Sequence, residues 1–320
     1  MRPYITRRLL LIVPTLALVT MMIFGVVRLI PGNVIELMVS EMSYEAGFDK
    51  ELTVDMLKQR LGMDVPVHVQ YIRWVGKVFQ GDLGVSLWKE TSITEELRNR
   101  IPVSLELGLI AFVLGLVIAL PVGIYSAIRQ DTLGDYVGRS AAILFISLPT
   151  FWLGTIVIVY PAIYWNWMPP VQYIPLAENP IGNFGQFIIP GMILGMLRSG
   201  TTMRMMRTMM LEVLRQDYIR TAWAKGLSER TVIMRHALKN ALIPVVTLVG
   251  NSLPLIISGS VVMETIFTLP GMGLLLIEAL NQRDYPIISA INLLVASLVL
   301  VINLLIDLTY AWLDPRVTYK

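Results

Sequence analysis

The chain has 320 residues, of which 55% are hydrophobic and 15% charged, with a formal net charge of +3 at pH 7. That composition excludes an ordinary soluble domain and makes the bilayer the principal solvent. The sequence contains no cysteine, which excludes a disulfide-stapled exterior, so any long segment outside the membrane must be ordered by packing or by a partner.

Charge is clustered, leaving uncharged windows at 9–27, 107–128, 140–177, 179–197, 240–263 and 285–306. Each suffices to cross a hydrocarbon core of roughly 30 Å, which takes about 20 helical residues. Pro161, Pro169, Pro170 and Pro175 cut the longest window, predicting a span to about Tyr164 and then a loop. The expected count is six transmembrane helices. The first, in RRLLLIVPTLALVTMMIFGVVRLIPG, opens on basic residues as a signal peptide does. Its apolar run exceeds the roughly 7 to 15 residues of a signal core, and no small-x-small cleavage site follows, so it is read as a retained helix.

Basic residues near the ends of spans are retained in the cytoplasm. With Arg2, Arg7 and Arg8 inside, alternation places 129–139, 198–239 and the C-terminal tail inside as well. The 198–239 stretch carries Arg198, Arg204, Arg207, Arg215, Arg220, Lys225, Arg230, Arg235 and Lys239 against Glu212, Asp217 and Glu229. The organisation expected is a cytoplasmic N-terminus and first helix over 1–30 and an extracytoplasmic subdomain over 31–101. A core of five helices follows over 102–312, with a cytoplasmic loop at 211–239 and a tail at 313–320. In the outer segment, TVDMLKQRLGMDVPVHVQYIRWVGKVFQGDLGVS predicts two short amphipathic helices, with Leu57, Leu61, Tyr71, Trp74, Val75 and Val78 at helical spacing. Gly81, Gly84 and Ser86 end the second in a turn. A soluble cap and a lip lying on the membrane both fit this pattern.

The two histidines, His68 and His236, fall on opposite sides of the membrane in this topology, against a shared metal site. No phosphate-binding G-x-x-x-x-G-K-[ST] loop and no G-x-S-x-G elbow is present. The chain is expected not to be an enzyme. Its energy must come from a gradient or from another subunit.

The stretch DYIRTAWAKGLSERTVIMRHALKNALIP, from Asp217 to Pro244, is basic and helix-forming between two apolar runs. Its charges exclude a lipid-embedded position, since each costs about 2.5 to 3.5 kcal/mol at mid-bilayer. From Leu211 to Ala224, Leu211, Leu214, Tyr218 and Ala222 recur at helical steps, while Arg215, Asp217, Arg220 and Lys225 occupy other faces. Gly226 suits a helix stop, and Ser228 with Glu229 suits the start of another. A solvated basic loop attracted to anionic headgroups is the alternative, but it requires neither the Gly-Leu-Ser break nor Trp223 nor an apolar face.

These residues resemble the cytoplasmic loop of ABC-transporter permeases of the peptide and nickel importer family. The family's loop pattern is Glu-Ala-Ala, three residues, Gly, then nine residues to Ile-x-Leu-Pro. Here Arg220-Thr221-Ala222, Gly226, His236, Leu238 and Lys239 occupy those positions. The second alanine, the glycine and the leucine match; the glutamate, isoleucine and proline do not. DYIRTA, AKGLS and HALKNALIPVVT resemble the dipeptide and oligopeptide branch, as do RRLLLIVPTL, GDLGVS, SLELGLIAFVLGLVIALPVGIYSA, SLPTFWLG, ETIFTLPGMGLLLIEAL and RDYPII, running nearly end to end. The resemblance implies a coupling helix that docks in a cleft of an ATP-binding subunit. Ala222 and Gly226 carry over directly, with Asp217, Tyr218, Arg220, Thr221, Lys225, Leu227, Ser228 and Glu229 as contact or loop-shaping positions.

On the last span Ser289, Asn292, Ala296, Asn303 and Asp307 fall within about 60° of one another at 100° per residue. That face, and Asn251, Ser252, Ser258 and Ser260 in the fifth span, suit either a translocation pathway or a helix-packing seam. Met192, Met196, Met203, Met206 and Met210 suit a deformable packing surface.

The resemblance thus implies an all-α polytopic membrane protein of the type I ABC importer permease fold, with six spans, both termini cytoplasmic and a small extracytoplasmic helical subdomain. It would sit in a prokaryotic inner membrane, paired with a second homologous permease, two ATP-binding subunits and an extracytoplasmic substrate-binding protein. Lipid surrounds it, and no nucleic acid is among the expected partners. No cofactor is expected in this chain; ATP and Mg belong to the partner subunits. The cargo implied is a short peptide, with nickel complexes, glutathione and oligosaccharides as alternatives. A gradient-driven secondary transporter is the competing class, which would more often show two repeated halves and a mid-membrane charge.

Overall fold

A computed structural model describes residues 2–29, 35, 54, 58, 64–170, 172–252 and 261–313, with the backbone alone for 2–9, 305 and 307–313. Among the described residues the regular structure is helical, apart from an isolated bridge between Val85 and Ser92. The helices are α1 (Arg2–Leu29), α2 (Val67–Phe79), α3 (Ile93–Ile128), α4 (Leu133–Ser147), α5 (Thr150–Trp165) and α6 (Pro180–Leu214). They continue with α7 (Asp217–Ala224), α8 (Glu229–Asn251), α9 (Val261–Ile266), α10 (Met272–Gln282) and α11 (Tyr285–Leu313).

Among the described residues, five helical stretches are long and apolar enough to cross a membrane: Leu10–Leu29, Ile93–Ile128, Pro180–Leu214, Glu229–Asn251 and Tyr285–Leu304. A sixth exists only if α4 and α5 count as one span, because their axes turn by 94°. The third span is therefore not a straight helix to about Tyr164. The chain breaks at Leu148, which is extended (φ −85°, ψ 127°) ahead of Pro149, as a residue preceding proline tends to be. Pro161, expected to cut the window, lies inside α5, which runs on to Trp165 and ends at Asn166 in the left-handed region. The fourth span also differs from expectation. Its helix does not stop at 197: α6 continues unbroken to Leu214, so the first 17 residues of the predicted 198–239 loop are helical.

The chain divides into two compact units. The first comprises Met1–Pro102 and Gly271–Lys320. In it α1 packs along α11, and Val27, Ile93, Leu97, Leu275, Ala279, Ile287, Ile288 and Ile291 form a buried cluster. Helix α2 rests on α1 through Tyr71 and Trp74, whose rings lie 5.2 and 5.8 Å from that of Phe24. The Tyr71 and Thr20 hydroxyls are 2.9 Å apart. This is the second of the two predicted amphipathic helices, and it ends at Gly81 (φ +80°). Leu57 and Leu61 of the first, and the tail 314–320, lie outside the described residues.

The second unit, Val103–Pro270, is built around α6. Asn179 caps its N-terminus, accepting from the Gly182 N–H at 2.9 Å, with Pro180 in the first turn. Near its middle, Gly195 meets Gly115 of α3: a Cβ on Gly195 would lie 2.8 Å from the Ala111 carbonyl oxygen. The two backbones touch, the close approach that small residues permit between membrane helices. Beyond it Met203, Met206 and Met210 are buried, the first with Ala119 and Ala142 and the others with Ala127.

Candidate functional site

The segment from Arg215 to Asn240 is not one continuous helix entering at Leu211. Helix α6 stops at Leu214, Arg215 and Gln216 leave the helical path, and α7 starts at Asp217 with Gln216 extended (ψ 149°). This break re-aims the side chains. Tyr218, expected on the apolar face, is 43% exposed, while Ile219 and Ala222 are buried. They join Met206 and Met210 of α6, Ala127 of α3, and Val232, Ile233, Ala237, Ala241 and Val245 of α8 in a single apolar cluster. Short α7 has no stability of its own, since helices under about 12 residues are marginal in water; this contact holds it.

Gly226 ends α7 as the sequence suggests. Its φ is +73°, its N–H donates to the Trp223 carbonyl at 2.9 Å, and the Leu227 N–H reaches the Ala222 carbonyl at 3.4 Å. That pair of bonds is a Schellman motif, and its left-handed residue favours glycine. No atom lies within 4 Å of a Cβ built there, so the requirement for glycine is conformational rather than steric. Ser228 follows at the N-cap position of α8, but its hydroxyl pairs with that of Thr231 at 2.9 Å rather than with the backbone.

Helix α8 contains a feature that hydrophobic periodicity did not reveal. Val232–Ala237 form a π-helical turn, a wide turn often found at functional sites. Beside it the Asn240 amide donates to the Tyr218 hydroxyl at 2.8 Å and to the His236 carbonyl at 3.3 Å, and the Tyr218 hydroxyl approaches that carbonyl at 3.5 Å. Asn240 thus ties α7 to α8 across the wide turn.

The remaining charged positions face outward. Asp217 and Arg220 pair at 3.3 Å with both side chains largely exposed, and Glu229 lies 3.8 Å from Arg129. Such exposed pairs contribute about 0 to 1 kcal/mol. Thr221 donates to the Asp217 carbonyl within its own helix, and Lys225, Leu227 and Ser228 are exposed. The outer surface of α7 thus presents Tyr218, Trp223 and charges, with its small apolar face turned inward.

The candidate pathway residues differ in exposure, and they fall in both units, the last-span set in the first and Asn251 and Ser252 in the second. Ser289 is buried, while Asn292 is exposed and donates to the Ile288 carbonyl, and Asn303 is exposed. Asn251 is exposed, and the Ser252 carbonyl accepts from Arg198 at 3.2 Å. The Asp307 side chain, Ser258 and Ser260 lie outside what is described.

Among the described residues, three buried carboxylates escape sequence reasoning. Asp284, fully buried ahead of α11, accepts from the Ser86 hydroxyl at 2.6 Å, the Leu87 N–H at 3.1 Å and the Ile287 N–H at 3.4 Å. It joins the GDLGVS and RDYPII stretches, and the Trp88 indole reinforces the join by donating to the Gln282 carbonyl at 2.7 Å. Burial pushes the Asp284 carboxyl above the ordinary aspartate range, partly offset by these donors. Glu264 is buried with the Ser104 hydroxyl donating to it at 2.8 Å. Asp135 is buried against Arg207. The available signal was an isolated acidic residue at a helix boundary in a chain poor in charge.

Comparison with known proteins gives three results. A family model described as binding-protein-dependent transport system inner membrane component matches residues 119–319. Over its whole length the chain is 36% identical to the whole dipeptide transport system permease protein DppB of Escherichia coli (strain K12). It is 37% identical, again with both chains fully covered, to the oligopeptide transport system permease protein AppB of Bacillus subtilis (strain 168). Among solved structures, a chain of an amino acid ABC transporter crystallised with histidines superposes with a TM-score of 0.53 at 13% identity, covering 68% of this chain and 93% of that one. That likeness supports the fold.

Proposed function

This chain belongs to the family of binding-protein-dependent transport system inner membrane components, and we propose that it forms half of an ATP-driven translocation pathway for short peptides. The observation that carries the cargo is the full-length likeness to permeases named for dipeptides and oligopeptides. In this reading a second, homologous permease completes the pathway, a substrate-binding protein delivers the peptide from outside, and two partner subunits bind ATP and Mg. Both termini and the 211–239 segment that carries α7 are cytoplasmic, and residues 31–101 form the outer subdomain.

Helix α7 is the coupling element. Its exposed Tyr218, Trp223, Asp217, Arg220 and Lys225 meet the ATP-binding subunit, while Ile219 and Ala222 pass the resulting displacement to α6 and α8. An apolar cluster with contributions from four helices moves as a body, so the transmitted motion is rigid-body rocking rather than loop deformation. Gly226 and the Asn240 tie fix the angle at which α7 leaves α8.

The test is reconstitution of the chain with its partner permease, ATP-binding subunits and binding protein in proteoliposomes. Uptake of a radiolabelled dipeptide should require ATP and loaded binding protein and should persist when ion gradients are collapsed. Uptake that follows a proton gradient and ignores ATP would overturn the reading.

A further inference from the structure

The Asp135–Arg207 pair plays no part in the coupling contacts described above. Asp135 lies in the first turn of α4 with its side chain fully buried, and Arg207 lies near the C-terminal end of α6. The guanidinium donates from Nε to Oδ1 and from Nη2 to Oδ2, both at 2.8 Å, and the Asp131 N–H donates to Oδ2 at 3.1 Å. Arg139 approaches the same oxygen at 3.8 Å from the more exposed side. Two parallel bonds between planar groups fix rotation as well as distance. An apolar contact alone would allow α4 to slide along α6.

Two neighbours give this fork its significance. Met206, adjacent to Arg207 in sequence, is fully buried in the cluster that holds Ile219 and Ala222 of α7. Closer to the middle of α6, a Cβ on Gly200 would lie 2.6 Å from the Ala142 carbonyl oxygen, so the α4 and α6 backbones are in contact there too. Helix α4 is thus fastened to α6 at two heights, and the lower fastening lies beside the seat of α7.

We propose that Asp135 and Arg207 are a positioning clasp that makes α4 move with the α7-bearing end of α6, carrying displacement to the Leu148–Pro149 elbow and α5. This rests on the coupling role of α7 given above. The clasp stays closed through the cycle, in contrast to a latch that opens and recloses.

The chain has no cysteine of its own, which makes a direct test available. In the assembled transporter, the double variant Asp135→Cys/Arg207→Cys should copurify with its ATP-binding subunits. It should move about tenfold less radiolabelled dialanine per ATP hydrolysed, within the range by which coupling positions act. Bridging the two thiols with a bifunctional methanethiosulfonate should restore that ratio, and reducing the bridge should abolish it again. Normal transport before bridging would overturn the proposal, as would a bridged protein that hydrolyses ATP but moves no peptide, the behaviour of a latch. Should the double variant fail to assemble, Arg207→Lys keeps the charge and loses the fork; an unchanged peptide-to-ATP ratio there would equally overturn it. A wild-type complex that shows no ATP-driven uptake would instead refute the functional reading beneath the proposal.

Discussion

The Gly226 turn and the Asp284 join each link two helices through a few irregular residues, and they do so by opposite means. At Gly226 every residue from Trp223 to Arg230 is exposed, and two backbone hydrogen bonds hold the turn. At Asp284 the carboxylate is buried and answered by a hydroxyl and backbone amides from two stretches far apart in sequence. The first join is shaped by one backbone conformation and leaves its outer surface free for another protein. The second is a closed polar knot that fixes its neighbours and offers little to a partner. A transporter needs both kinds: a place that receives force and a place that does not yield.

The comparison breaks most readily at the knot. Asp284→Ala strands the Ser86 hydroxyl and the Leu87 amide, and at about 1 to 3 kcal/mol per buried unsatisfied group it should cost roughly 3 kcal/mol. The thermal unfolding midpoint of the detergent-solubilised complex should fall clearly; an unchanged midpoint would show that the knot carries no stability. At the turn the effect is smaller and of another kind. Gly226→Val places a branched residue at φ +73°, a strain of about 1 to 2 kcal/mol. It should leave assembly intact while ATP hydrolysis proceeds with little uptake, and Gly226→Asn should be milder. Wild-type uptake by the valine variant would sink the coupling role of this turn.

A pH series sharpens the contrast. Burial raises the Asp284 carboxyl in the folded protein, so the folded state binds its proton more tightly than the unfolded state does. This contribution is present at low pH and is lost as pH rises from the ordinary aspartate value of about 4 through the raised value. The difference in unfolding midpoint between wild type and Asp284→Asn should therefore shift toward the asparagine variant across that window. A difference that is flat with pH would contradict the burial argument. The smallest effect belongs to the tie between α7 and α8. Tyr218→Phe and Asn240→Ala should each cost about 0.5 to 1 kcal/mol, and the double variant less than their sum, since both remove the bond the two side chains share. Additive losses would mean that the two side chains act separately.

What was legible in the sequence follows the same division. The membrane class and the stop at Gly226 were readable because they depend on composition and local backbone preference. The helix break at Arg215–Gln216 was not, because no glycine or proline marks it. Helical spacing counted straight through it puts Tyr218 on the apolar face in place of Ile219. Pro149 broke the third span and Pro161 did not, although both are prolines in apolar surroundings. The pairings of Asp135 with Arg207, Asp284 with Ser86 and Glu264 with Ser104 join residues 72, 198 and 160 positions apart. Such partners follow from tertiary packing alone. In the sequence Arg207 reads as a topological charge, whereas its guanidinium is engaged by Asp135.

The wide turn at Val232–Ala237 changes how residues count along α8. Each hydrogen-bonded ring there takes in one residue more than an α-helical ring, so sequence advances faster than rotation. Two buried positions precede Ala237 there, Val232 five residues before it and Ile233 four, while Ala237, Ala241 and Val245 follow in steps of four. The turn is therefore a widening of the inward face. It brings Val232 to the same side as Ile233, so the end of α8 that receives α7 buries two adjacent residues where an unbroken α-helix would turn one of them aside.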